Sequence, residues 1–208
     1  MASDTPIAPA GVTLDVARPD EAGRIGNLIT EAFLELEVCQ WLVPDPVAAP
    51  KVLGAYFTMV VEDAIRDGRV TCTADRTAAG VWFPTVPGQP GGTPPEEWDS
   101  KLMATCGEWV DRFRALEALQ HHHHPTHASH HYLAILAVQP DLRGRGIGSA
   151  LLDGYHEALD RDGVPAYLES AGLRQRELYL RKGYTDLSEP FYLPNGGPPL
   201  YPMWRDPR

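Results

Sequence analysis

Between a run of aliphatic residues and an apolar helical pattern, this chain carries three glycines at alternate positions, within Leu136-Ala137-Val138-Gln139-Pro140-Asp141-Leu142-Arg143-Gly144-Arg145-Gly146-Ile147-Gly148-Ser149. Glycine lacks a Cβ, so the backbone at 144, 146 and 148 can come close to an anion, and the first N–H groups of the following helix can donate to it. The helix dipole favours negative charge at that end. The chemistry such a stretch suits is recognition of a diphosphate; a plain tight turn is the other local reading. A Walker loop is ruled out because it ends in Gly-Lys-Ser/Thr, which is absent. A dinucleotide-binding fold wants its glycines in an early strand-helix-strand unit, with an acid about twenty residues later. Here the loop comes late, and Glu169, at roughly that offset, is read as coincidental.

Other elements must hold this loop. Val12 to Ala17 alternates like a first strand, and Arg18-Pro19-Asp20-Glu21 opens a helical pattern in which Ile25, Leu28, Ile29, Ala32, Phe33 and Leu36 recur at steps of three and four. A second stripe, from Leu53 to Ile65, ends at Asp67-Gly68. Arg69–Ala74 and Ala78–Phe83 read as a hairpin, Pro84–Pro95 as a long loop, and 96–119 as a third helical stretch. A buried strand over Tyr132–Val138 leads into the glycine turn. A helix over about 146–161, a strand at Ala166–Glu169, a helix over about 173–182 and two terminal strands complete the chain. The expected class is α/β (α+β): a mixed sheet of about seven strands flanked by helices, as one domain over 12–208 behind a loose tail over 1–11.

Composition narrows the function. A net charge of -10 argues against nucleic acid, whose binding depends on Lys and Arg neutralising phosphates. Against that acidic background Arg143, Arg145, Arg174, Arg176, Arg181 and Lys182 form a basic cluster in the C-terminal half, where an anionic ligand is expected. No apolar run reaches the ~20 residues of a membrane span, and the first residues lack signal-peptide character, so a cytoplasmic protein with no membrane partner is expected. Cys39, Cys72 and Cys106 are odd in number and lack metal or redox spacing, which suits reduced structural thiols.

Arg143-Gly144-Arg145-Gly146-Ile147-Gly148 resembles the Arg/Gln-x-x-Gly-x-Gly/Ala motif of the GNAT superfamily of N-acetyltransferases. Leu168-Glu169-Ser170 followed by Leu178-Tyr179-Leu180-Arg181-Lys182-Gly183-Tyr184 is similar to the superfamily's second signature, and the order of elements is similar from Val12 onward. The resemblance implies acetyl-CoA as cosubstrate, with the loop between strand 4 and the next helix on its pyrophosphate. Carried over position by position, the cofactor site is Leu136, Ala137, Val138, Arg143, Gly144, Arg145, Gly146, Ile147, Gly148, Ser149, Ser170 and Arg181. Tyr179 becomes the acid that protonates the departing thiolate; packing of its ring in the core is the structural reading of the same residue. Within the superfamily, Val164 to Ser170 and the Pro-rich end, Leu193 to Trp204, resemble puromycin N-acetyltransferase and its relatives. That implies a small-molecule amine, of the amino-nucleoside or aminoglycoside kind, in a monomer or homodimer. A peptide N-acetyltransferase and a non-catalytic CoA-binding module are the alternatives.

The amine must lose a proton before it attacks, and the sequence offers Glu35, Glu37, His130, His131 and Glu169 without choosing among them. Trp41, Trp82, Phe83 and Trp98 are candidates for an apolar acceptor pocket. The run His121 to His124, with His127, His130 and His131, is read as a solvated loop with no dedicated metal.

Overall fold

The computed structural model describes residues 12–86 and 96–208. The tail expected over 1–11 and most of the loop expected over 84–95 lie outside the described residues. The strands are β1 (Leu14–Val16), β2 (Arg69–Thr73), β3 (Ala78–Thr85), β4 (His130–Val138), β5 (Ala166–Ser170), β6 (Thr185–Asp186), β7 (Phe191–Tyr192) and β8 (Pro199–Arg205). They run in the order β1-β2-β3-β4-β5-β8-β6, with β7 on β8 off that path. Neighbours are antiparallel except β4 and β5, which are parallel.

Two helical layers cover the sheet. On the front lie α1 (Ala22–Phe33), α2 (Glu37–Leu42), α3 (Ala49–Asp67), α4 (Glu96–Cys106) and α5 (Val110–His123); on the back lie α6 (Ile147–Asp162) and α7 (Leu173–Arg181). The stripe expected on α1 is what it buries: Ile25, Leu28, Ile29 and Ala32 join Leu53, Phe57 and Val61 of α3 in the front core. Full burial of each Leu or Ile contributes roughly 1.5–3 kcal/mol. Cys39, Cys72 and Cys106 are free and buried, and burial pushes the Cys39 and Cys106 thiols up to about 12.

Three boundaries differ from the sequence reading. The pattern running to Leu36 breaks after Phe33, because Leu36 is extended (φ -72°, ψ 135°) and redirects the chain so that Val38, Cys39 and Leu42 bury on the separate α2. The stretch over 96–119 is two helices, parted at Gly107, whose φ is 53°. The C-terminal region forms three strands, not two: the two-residue β6 and β7 and the seven-residue β8.

One buried ion cluster joins β1, the turn before α1 and the β2–β3 hairpin. The Arg76 guanidinium lies 2.8 Å and 3.0 Å from the Glu21 carboxylate oxygens and 2.9 Å from Asp15 Oδ2. Its hydrogen bonds hold the Glu21 carboxyl down to about 2. Arg76→Met is expected to cost about 3 kcal/mol at pH 7, since it strands a buried carboxylate. A folded-state pKa below the unfolded value stabilises above the unfolded pKa and loses that contribution as pH falls. Chemical denaturation of both proteins should therefore give a stability difference that is full at pH 6–7 and shrinks between about pH 4.5 and 2.

Candidate active site

The site begins where β4 and β5 part. Their parallel ladder holds only His131↔Ala166 and Tyr132↔Tyr167. The β3–β4 register slips between Val81 and Trp82, which pair with Ile135 and Leu133, so Ala134 is a bulge without an opposite residue. A bulge bends its strand and increases its twist. Here it carries Leu133–Val138 away from β5 and leaves that edge of β4 without a strand partner among the described residues. Such an edge can pair with an extended amide-bearing chain.

The glycine loop lies at the far end of this edge. Gly144 and Gly146 have φ of 77° and 82°, the left-handed conformation that a Cβ disfavours. Gly146 is the N-cap of α6, with no side chain capping it, so the first N–H groups of the helix point toward the loop. A Cβ on Gly148 would sit 3.4 Å from Val138 and 3.8 Å from Leu136, so the helix start lies directly on the end of β4. These features fit a diphosphate at the helix N-terminus with an extended arm along β4. Gly146→Ala is expected to add roughly 1–2 kcal/mol of backbone strain and to raise the acetyl-CoA Kd about tenfold by calorimetry, since 1.4 kcal/mol is a factor of ten.

The remaining predicted cofactor residues divide. Ile147 and Ser149 are half-buried in the first turn of α6, and Ala137 is buried in the front core between the half-buried Leu136 and Val138. Arg143 and Arg145 are exposed; the former donates to the Ala32 carbonyl of α1, the latter to Asp141 O at 3.3 Å. Ser170 is buried and donates to Gly172 O at 2.9 Å, which shapes the β5–α7 turn. Arg181 is exposed on the last turn of α7. The basic cluster is smaller than its sequence suggested, because Arg176 pairs with Asp186 and Lys182 with Asp153.

Tyr179 is buried in the back core with Leu168, Leu152 and Tyr184, against the half-buried Leu136 of the split strand. Burial raises its phenol well above the ordinary tyrosine value, so it keeps its proton at neutral pH. On the front face, Glu169 stands two residues beyond Tyr167 and so, by the parallel register, level with the bulged Ala134. Tyr132 donates to Glu169 Oε2 at 2.7 Å and accepts from Gln120 of α5 at 3.2 Å. Glu169 Oε1 is shut off from solvent with no partner, as is the Tyr167 hydroxyl. Burial raises the Glu169 carboxyl to about 7, against the opposing effect of the tyrosine hydroxyls.

The other candidate bases lie elsewhere. Glu35 and Glu37 are solvent-exposed around the α1–α2 junction. His131 points to the back, where its Nδ1 meets Tyr155 OH at 2.8 Å beside a cavity of about 420 Å³ under α6. His130 is buried and meets His124 at 3.0 Å, Nε2 to Nε2. Because His130 Nδ1 faces the Ala128 carbonyl at 2.9 Å, it carries a proton, and His124 donates to His130 when both rings are neutral. Burial lowers both rings, His124 to about 4. The histidine run is thus not a solvated loop: His121–His123 close α5, and His123 stacks on Phe191 at 4.3 Å. Trp82 is also corrected, since it stacks on Tyr155 at 4.0 Å on the back face, whereas Trp41, Phe83 and Trp98 are half-buried in front. A larger surface hollow of about 590 Å³ lies between α1, α3 and α4. Neither hollow meets the split, where the glycine loop and the unpaired β4 edge converge.

Residues 100–186 match the family model described as an acetyltransferase (GNAT) domain. Among solved structures the chain is similar to one described as histone acetyltransferase HPA2 and related acetyltransferase from Corynebacterium glutamicum. The identity is 25%, the coverage 97% of this chain and 98% of that one, and the TM-score 0.68. A polyamine N-acetyltransferase of Drosophila melanogaster that forms N-acetylagmatine (16% identity, 94% and 99% covered, TM-score 0.66) shares the fold. So does arylalkylamine N-acetyltransferase 2 of Aedes aegypti (15%, 95% and 100%, TM-score 0.62). The architecture is the mixed-sheet fold of the GNAT acetyltransferases, and the chain is an acyltransferase.

Proposed function

We propose that this protein transfers the acetyl group of acetyl-CoA directly to a primary amine of a small molecule, in the opening between β4 and β5. The observation that carries this reading is the convergence on one split of a helix N-terminus with left-handed glycines and, at the level of the Ala134 bulge, the unpartnered Glu169 Oε1. Gly144 to Ser149 hold the pyrophosphate, with Arg143 and Arg145 adding positive charge at the rim. The free edge of β4 at Leu136, Ala137 and Val138 pairs with the pantetheine amides. Ser170 shapes the neighbouring turn, and Arg181 offers charge at the end of α7.

In the reaction the ammonium loses its first proton to solvent, and Glu169 accepts the second as the nitrogen lone pair bonds to the acetyl carbonyl carbon. As the carbon–sulfur bond breaks, the sulfur takes the bonding pair and Tyr179 returns a proton to it. Glu169 is suited to its part because its carboxyl titrates near neutral pH. The sequence resemblance keeps amino-nucleosides among the acceptors worth testing, and the small-amine activities named for the fly and mosquito proteins support a small acceptor.

Calorimetric titration with acetyl-CoA, followed by a thiol-release assay over arylalkylamines, aliphatic amines, an amino-nucleoside and a lysine peptide, tests the reading. Micromolar binding is expected, with release for small amines and not for the peptide. No binding, or release with the peptide alone, would overturn it.

A further inference from the structure

Carboxylates enter protein interiors with a cationic partner as a rule. Here Glu21 is paired with Arg76 and Asp160 with Arg205. Two acids break the pattern. Among the described residues Glu169 accepts from the neutral Tyr132 hydroxyl and Glu117 of α5 from the indole N–H of Trp98, 3.2 Å from each carboxylate oxygen, and neither has a cationic partner. Both occupy the same interior. Glu117, Gln120 and His124 follow one another at steps of three and four, so they lie on one face of α5. That face meets the sheet front, because Gln120 bonds Tyr132, which in turn bonds Glu169. Tyr56 is in the same space, its ring 4.7 Å from Phe113 of α5 and its phenol raised by burial and then by the Glu117 charge. Tyr167, fully buried on β5, brings its hydroxyl near the Glu169 carboxyl, whose pKa it helps to lower without forming a well-aligned hydrogen bond.

Resting on the transfer reaction proposed above, we infer that the acceptor carries two amino groups, the reacting one at Glu169 and a second ammonium held by Glu117 among the rings of Tyr56 and Trp98. An ammonium supplies the charge both carboxylates lack, and aromatic faces attract it further. Glu117 lies one helical turn from Gln120 on α5, and Gln120 reaches Glu169 through the Tyr132 hydroxyl. The ligand class is therefore a linear diamine, or a larger polyamine, whose two nitrogens face carboxylates on neighbouring elements. Burial raises the Glu117 carboxyl to about 7, so at neutral pH a bound cation would draw it to the ionised form.

Thiol release at saturating acetyl-CoA would be measured with 1,4-diaminobutane, 1,6-diaminohexane, hexylamine and 6-aminohexanoate. The expected kcat/KM for the better diamine exceeds that for hexylamine by about 10- to 100-fold, the worth of one charge-assisted contact, and 6-aminohexanoate ranks last. In Glu117→Gln the diamine-to-hexylamine ratio should collapse toward one. The same substitution removes a buried charge, so it should raise the Tm at pH 8 and leave it unchanged at pH 5; Glu117→Leu is the second variant should the amide fold poorly. A wild-type ratio near one, or a ratio that survives in both variants, overturns the inference while leaving the transfer reaction intact. Acetyl-CoA binding with no release for any amine overturns both.

Discussion

Tyr179→Phe is expected to lower kcat by about 10²- to 10⁴-fold, the range for loss of one general acid, while the calorimetric affinity for acetyl-CoA stays within a factor of two or three. The ring of Tyr179 packs with Leu152, Leu168 and Tyr184 in the back core, and phenylalanine preserves that packing. Among the described residues, only main-chain atoms of Tyr179 take part in hydrogen bonds: its carbonyl accepts from Lys182 N at 2.9 Å and from Tyr184 N at 3.0 Å, both of which the variant keeps. The hydroxyl is thus spare to the fold, and its removal reports on chemistry. Unchanged turnover would dismiss Tyr179 as the acid and leave it as a core residue.

Glu169→Gln should reduce kcat/KM about 10²- to 10³-fold and change the shape of the pH profile. With a monoamine acceptor, the wild-type rate should rise through about pH 7, where the Glu169 carboxyl loses its proton. That limb should vanish in the variant, and only the limb from deprotonation of the amine itself should remain. Stability should move the other way. A buried carboxyl whose folded pKa lies above its unfolded value binds more protons when folded, so it costs stability as pH rises from about 4.5 through 7. The glutamine should therefore melt higher than wild type at pH 8 and equally at pH 5. A more stable, slower enzyme separates loss of the base from damage to the fold, and a wild-type-like pH profile would move the base elsewhere.

The glycine turn of the proposed cofactor half was legible because its determinants are local. Left-handed glycines, a helix N-terminus and a preceding strand are all encoded within a dozen residues, and the expected turn is present at Gly144 and Gly146. The amphipathic stripes of α1 and α3 were equally readable, since a helix that must bury one face repeats that need every three or four positions. Helix breaks were harder. Nothing in the type of Leu36 forces an extended backbone; the need to bury Val38, Cys39 and Leu42 does so.

The acceptor half depended on the tertiary structure. Five candidate bases were equivalent in sequence, and strand pairing separated them: alternation along β4 sends His131 to the back face and His130 to a buried pair with His124, while β5 turns Glu169 to the front. Strand alternation also carried Trp82 away from the acceptor side. The bulge at Ala134 has no glycine or proline to announce it, because it arises from a register slip between two strands. Glu117 drew no attention in sequence, since a glutamate on a helix is ordinarily solvated, and only the packing of Trp98 of α4 and Tyr56 of α3 against α5 withdraws it from water. By itself the sequence determined the glycine turn at the start of α6 and the helices that bury one face, because both are governed by neighbours in the chain. Which acids lost their water, and which strand edge was left open, were decided by contacts between distant segments, where pairing register and burial set the chemistry.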